Sequence, residues 1–145
     1  MKIGFLLALI TAIAGQVLYH VTQKSVAVGA HPVISLVAFY LIAAMATLPL
    51  FWVFPISDTL LVEISKLNWA VAGVALSIVL IEIGFLLAYR AGGELSNVFV
   101  TTAAAVAIST LLLGSILFGE AFSLTKVGGV ALCLAGIWLI AAKSA

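Results

Sequence analysis

Five apolar runs, each close to the length of a bilayer crossing, divide the chain at residues 3–21, 32–54, 67–89, 97–118 and 124–142. A helix rises 1.5 Å per residue and a hydrocarbon core is about 30 Å thick, so about 20 mostly apolar residues suffice to cross it. Hydrocarbon offers the backbone no hydrogen bonds, which makes each run a predicted helix. The breaks between them, QKSVAVGAH, PISDTLLVEISK, RAGGELS and GEAFS, carry charges and turn residues and are short, so consecutive helices are antiparallel neighbours. Composition agrees. Of the 145 residues 66% are hydrophobic and 8% charged, against about 45–50% and 25% in soluble domains. The reading is an all-α membrane protein whose five transmembrane helices form one domain over residues 1–145.

Local signals refine the spans. Pro32 suits the start of the second helix, and Pro49 is predicted to kink its end. Trp52 and Trp69 fall near one membrane face and Trp138 near the other, where amphipathic rings favour the interface. Residues 57–66 set Leu60, Leu61 and Ile64 among Asp58, Glu63 and Lys66, a pattern for a short amphipathic turn along the interface. The opening MKIGFLLALITAIAG has the look of a secretory signal, with Ala12-Ile13-Ala14 as a cleavage-like triplet. Its charged region holds one lysine, however, and the apolar run continues through Val17, Leu18 and Val21, so a retained first span is expected. Cys133, the one cysteine, lies in an apolar run without metal-ligating companions and reads as a small packing residue. A net charge of +1 without a basic tract gives nucleic-acid binding no support. No cofactor is implied.

The stretch IVLIEIGFLLAYR, residues 78–90, places Glu82 inside the third span. An ionised acid at mid-bilayer costs at least ~2.5–3.5 kcal/mol, and such residues are functional candidates by default. Glu82, Gln16 in span one and Tyr40 in span two fall at similar depths. Gln16, Tyr19 and Gln23 recur at helical spacing, as do Glu82, Phe85 and Tyr89; Tyr40, Ala44 and Thr47 share span two, and Thr102 and Ser109 span four. The expectation is a polar and aromatic cavity between the first four helices. Its candidate substrate- or proton-binding residues are Glu82, Gln16, Tyr19, Tyr40, Phe85 and Tyr89. Two roles for Glu82 remain open. Hydrocarbon favours its neutral form, so it either ties helices together as an acid hydrogen-bonded to Gln16 or Tyr40, or exchanges a proton or cationic solute. The four aromatic residues suit core packing and an apolar substrate wall equally.

Lys24, Arg90 and Glu94 read as loop-end anchors, with guidance of an anionic solute the alternative for Arg90. His20 and His31 read as interfacial, and Glu120 as an anchor of the turn after span four. Small residues, Gly4, Ala8, Thr11 and Gly15 on span one and Gly129, Cys133 and Gly136 on span five, permit close helix approach. Spans four and five together suit a dimer contact. An intramembrane enzyme lacks support, because no nucleophile–base pair or metal cluster shares a depth.

The region from LLAYRAGG through ISTLLLGSILFGEAFSLTKVGGVALCLAGIWLIAAK resembles an EamA-type repeat of the drug/metabolite transporter superfamily. The resemblance rests on Gly119-Glu120 closing the fourth helix, a short polar turn, the glycine-containing fifth helix with Gly128, Gly129 and Gly136, and Ala88-Tyr89-Arg90-Ala91-Gly92 ending the third. Five helices in about 140 residues cover one repeat, where typical members carry two inverted ones. The resemblance implies secondary transport of a small organic solute by alternating access, often export, in a prokaryotic cytoplasmic membrane. The essential glutamate that the superfamily's four-helix members carry in their first helix has no counterpart here. The alternative is a subunit of a heteromeric transporter or of a lipid-headgroup flippase.

Charge supplies an expectation about assembly. With five spans, Lys2, Lys66 and Lys126 face one side and Lys24, Arg90 and Lys143 the other. An even split of Lys and Arg in short loops gives no insertion bias; it arises by chance or marks copies inserted both ways up, and the resemblance to a single repeat makes an antiparallel homodimer the expectation. C-terminal fusions to a reporter active only in the cytoplasm and to one active only outside it should give comparable signals at matched expression. Signal from one fusion alone rejects dual insertion.

Overall fold

The computed structural model describes residues 3–121 and 123–142, so Lys2 and Lys143 of the charge count lie outside the described residues. The helices are α1 (Ile3–Lys24), α2 (Pro32–Thr47), a 3-10 helix (Leu48–Trp52), α3 (Leu60–Ser65), α4 (Trp69–Arg90), α5 (Leu95–Phe118) and α6 (Leu124–Ala142), with no strand among the described residues. Four segments, Ile3–Lys24, Pro32–Trp52, Trp69–Arg90 and Leu95–Phe118, are long and apolar enough to cross a membrane. The fifth expected span forms α6 over the expected residues, but its described apolar stretch, Leu124–Leu139, is shorter than the other four.

The chain forms two compact units. One comprises Met1–Lys24 and Ala91–Ala145, the other Ser25–Arg90. In the first, α5 packs against both α1 and α6; in the second, α2 packs against α4. Buried apolar side chains are few among the described residues: Leu36, Leu86, Tyr89 and Ala104. Long apolar side chains such as Leu41, Leu80 and Leu132 instead face outward, as suits helices whose surroundings are as apolar as their own side chains.

The expected kink at Pro49 takes the form of a change of helix type. Proline has no N–H to give the Met45 carbonyl four residues back. The N–H of Leu48 donates to that oxygen instead, and the tighter ladder continues to Trp52. Pro32 occupies the first turn of α2 behind an extended His31, the place where a missing N–H costs least. Residues 57–66 fold into the short helix α3, and Lys66 bridges the carboxylates of Asp58 at 2.7 Å and Glu63 at 2.9 Å. Those hydrogen bonds raise the Lys66 ammonium above the usual lysine range, Asp58 contributing most. The pairs are exposed and contribute little to stability.

Loop ends are clipped within each unit. Lys24 donates to the Gly93 carbonyl at 3.2 Å, Arg90 to that of Ala27 at 3.2 Å, and Asn97 to the Glu94 carboxylate at 2.9 Å. All three expected anchors therefore hold loop ends. After α5, Gly119 turns left-handed at φ 63°, and its N–H reaches the Gly114 carbonyl, which also accepts from the Glu120 N–H at 3.1 Å. The Glu120 carboxylate folds over the same residue, where a Cβ on Gly114 would meet Oε2 at 3.1 Å. Lys126 lies 3.9 Å from that carboxylate. Glu120 thus anchors the turn, as its position suggested.

The left-handed turn generates a stability test. Gly119→Ala should destabilise the protein by about 1–2 kcal/mol, the cost of a Cβ in that conformation. Gly128→Ala, in α6 with open space around its Cβ, should be neutral or stabilising. Thermal unfolding in detergent compares them, and equal midpoints would show that the turn does not constrain the fold.

Candidate functional site

The six sequence candidates divide between the units. Tyr40, Glu82, Phe85 and Tyr89 belong to Ser25–Arg90; Gln16 and Tyr19 belong to the unit containing α1 and α5.

In the first group, the packing of α2 on α4 brings Tyr40 and Glu82 close enough to interact electrostatically. Both are half-buried. The Tyr40 hydroxyl oxygen is fully shielded and makes no hydrogen bond among the described residues. Of the roles open for Glu82, a tie through a hydrogen bond to Tyr40 is therefore not made. Along α4, the rings of Phe85 and Tyr89 stack at 6.2 Å with planes 20° apart. Helical spacing sets Glu82, Phe85 and Tyr89 on one face, and Tyr89 is buried. Leu86, one position after Phe85, is 1% exposed and is the most buried large side chain described. At the end of α4, Arg90 reaches the Ala27 carbonyl through one nitrogen, while its Nε is buried without a hydrogen-bond partner among the described residues.

In the second group, Gln16 lines a cavity of about 420 Å³ between α1 and α5, with Val17 and His20 of α1 and Leu95 and Phe99 of α5. Tyr19 meets the edge of the neighbouring His20 ring at 4.9 Å, and His20 meets Phe99 at 4.8 Å with planes 63° apart. His20 is 5% exposed and Gln23 4%. His20, expected near the interface, is covered within its unit: α5 packs on α1, and the imidazole sits against Phe99. The signal was present in the sequence, since Gln16, His20 and Gln23 recur at i, i+4 and i+7, the spacing of one helix face. Phe99 carried no such mark, because one aromatic residue in an apolar run is indistinguishable from a lipid-facing one.

Two other polar positions have local roles. The hydroxyl of Thr102 donates to the carbonyls of Val98 at 2.8 Å and Phe99 at 3.0 Å within its own helix. Thr47 does the same with Ala44 at 2.7 Å. Both satisfy themselves and contribute no outward donor.

Comparison with protein-family models, characterised proteins and solved structures gives no match.

A hydroxyl buried without a hydrogen bond adds nothing to stability and costs its desolvation, about 1–3 kcal/mol. Tyr40→Phe should therefore unfold in detergent at the same temperature as the parent protein or higher. A loss of more than about 1 kcal/mol would mean that the hydroxyl is hydrogen-bonded in the folded protein.

Proposed function

We propose that the chain is a secondary transporter that exports a small organic solute by alternating access, works as an antiparallel homodimer in the bilayer, and couples transport to protons through Glu82. The observation that carries this reading is the Tyr40–Glu82 pair. An acid stands half-buried on a helix long enough to cross a membrane, beside a phenol whose hydroxyl forms no hydrogen bond among the described residues. A protonated carboxyl is tolerable there, whereas an ionised one needs a donor or a cation. Tyr40 is the nearby donor, and a cationic solute is a second way to meet the same need. Loss of the proton on one side of the membrane and its recovery on the other is the cycle that such an acid supports. The five-span EamA-type architecture belongs to this proposal. It is supported by α6 over residues 124–142 and by the Gly119–Glu120 turn that closes α5.

The test is proton-coupled flux in vesicles holding the purified protein and an internal pH-sensitive dye. A panel of organic cations and neutral solutes is presented against an imposed pH gradient. Solutes that dissipate the gradient with the parent protein should fail to do so with Glu82→Gln, a loss of at least tenfold in rate. Unchanged coupling in a correctly folded Glu82→Gln protein overturns the proton role. Lower detergent stability with coupling retained would instead make Glu82 a packing acid.

A further inference from the structure

The cleft between α1 and α5 has features that proton carriage by Glu82 does not use. Its volume, about 420 Å³, lies within the roughly 300–1,000 Å³ of small-molecule sites. Val17 and Val21 of α1, and Val100 and the Phe99 ring of α5, supply apolar walls. No Asp, Glu, Lys or Arg lines it, so an ionised ligand would lose its water without gaining a counter-charge.

Of the polar side chains in the lining, His20 and Ser96 stand near helix ends, and farther in stands Gln16. It lies about 20 Å from the start of α1, at 1.5 Å per residue, and is exposed on the cleft side. Lipid tails cannot satisfy its amide, and a polar group unsatisfied in hydrocarbon costs several kcal/mol. What fills the cleft beside Gln16 must therefore hydrogen-bond. One turn further along, His20 is 5% exposed and held between the rings of Tyr19 and Phe99. That end of the cleft is built before any ligand arrives, which lowers the ordering cost of binding.

We infer that the α1–α5 cleft is a binding site for a neutral, mainly apolar small molecule carrying a carbonyl or hydroxyl group, which hydrogen-bonds the Gln16 amide while its body lies against Phe99 and the valines. A phospholipid fits less well. Its acyl chain has nothing to offer Gln16, and its charged headgroup finds no counter-charge in the cleft. The inference concerns binding and holds whether or not Glu82 couples protons.

Benzophenone, a neutral diaryl ketone that inserts into C–H bonds on illumination, is the probe. The full chain in lipid nanodiscs is illuminated with it, and labelled positions are mapped by mass spectrometry. Saturable labelling is expected at residues 13–21 and 95–100, above that of outward-facing apolar residues on α2 and α4. Loss of one hydrogen bond in Gln16→Leu should lower it by about 5–10-fold. Val100→Trp, which fills the cleft and keeps Gln16, should abolish it; this variant decides the matter if Gln16→Leu does not fold. Three results overturn the proposal: labelling spread evenly over all outward apolar residues, labelling of the cleft unaffected by Val100→Trp, or a cleft blocked by co-purified phospholipid until delipidation.

Discussion

Hydrocarbon cannot hydrogen-bond, and the rest of this structure follows from how the chain meets that constraint. The backbone meets it with helices and, at Pro49, by transferring the Met45 carbonyl to the Leu48 N–H. Hydroxyl side chains meet it by folding onto the preceding turn. Thr11, Thr22, Ser77, Thr102 and Thr110 each donate to the carbonyl four residues back, at 2.8–2.9 Å. A residue that satisfies itself in this way asks nothing of its neighbours. Tyrosine cannot do so, because its ring carries the oxygen away from its own backbone, and glutamine and glutamate are poorly suited to it. The constraint thus separates Gln16, Tyr40 and Glu82 from the polar residues around them.

How much of this was legible in the sequence depends on whether the signal was local. The four long helices were, since length and apolarity are properties of a single segment. So were the change at Pro49, the charged turn centred on Lys66, and the anchoring roles of Lys24, Arg90 and Glu120. The proximity of Tyr40 to Glu82 was legible through depth, because short loops fix how far along each helix a residue stands. Which faces meet was not. In a soluble helix the apolar stripe marks the buried side; here both sides are apolar and only polar residues mark anything. Gln16 was found because it is polar, and Phe99, on the facing helix, was not. His20 carried such a mark too, in its spacing from Gln16 and Gln23. Its place near the end of α1 suggests an interface, and only the arrival of α5 decides that it is covered.

The two candidate sites differ in chemistry. The α2–α4 pair offers an acid, a phenol and a stacked aromatic face. The α1–α5 cleft offers apolar volume, the Gln16 amide, the Ser96 hydroxyl and the His20 imidazole, with no Asp, Glu, Lys or Arg in its lining. Proton exchange at the acid, as proposed, and binding of an uncharged ligand in the cleft make opposite demands on the local environment. The chain places them in separate compact units.

The order of elements along the chain has a consequence in time. During synthesis α1 emerges first, yet its packing partner α5 follows only after the whole of Ser25–Arg90. The intervening unit pairs α2 with α4 using its own residues, and Arg90 closes its ends on Ala27. Throughout that interval His20 of α1 lacks its contact with Phe99 of α5. The earliest helix is therefore the last of the long ones to find its place, and assembly must shelter its polar face until then.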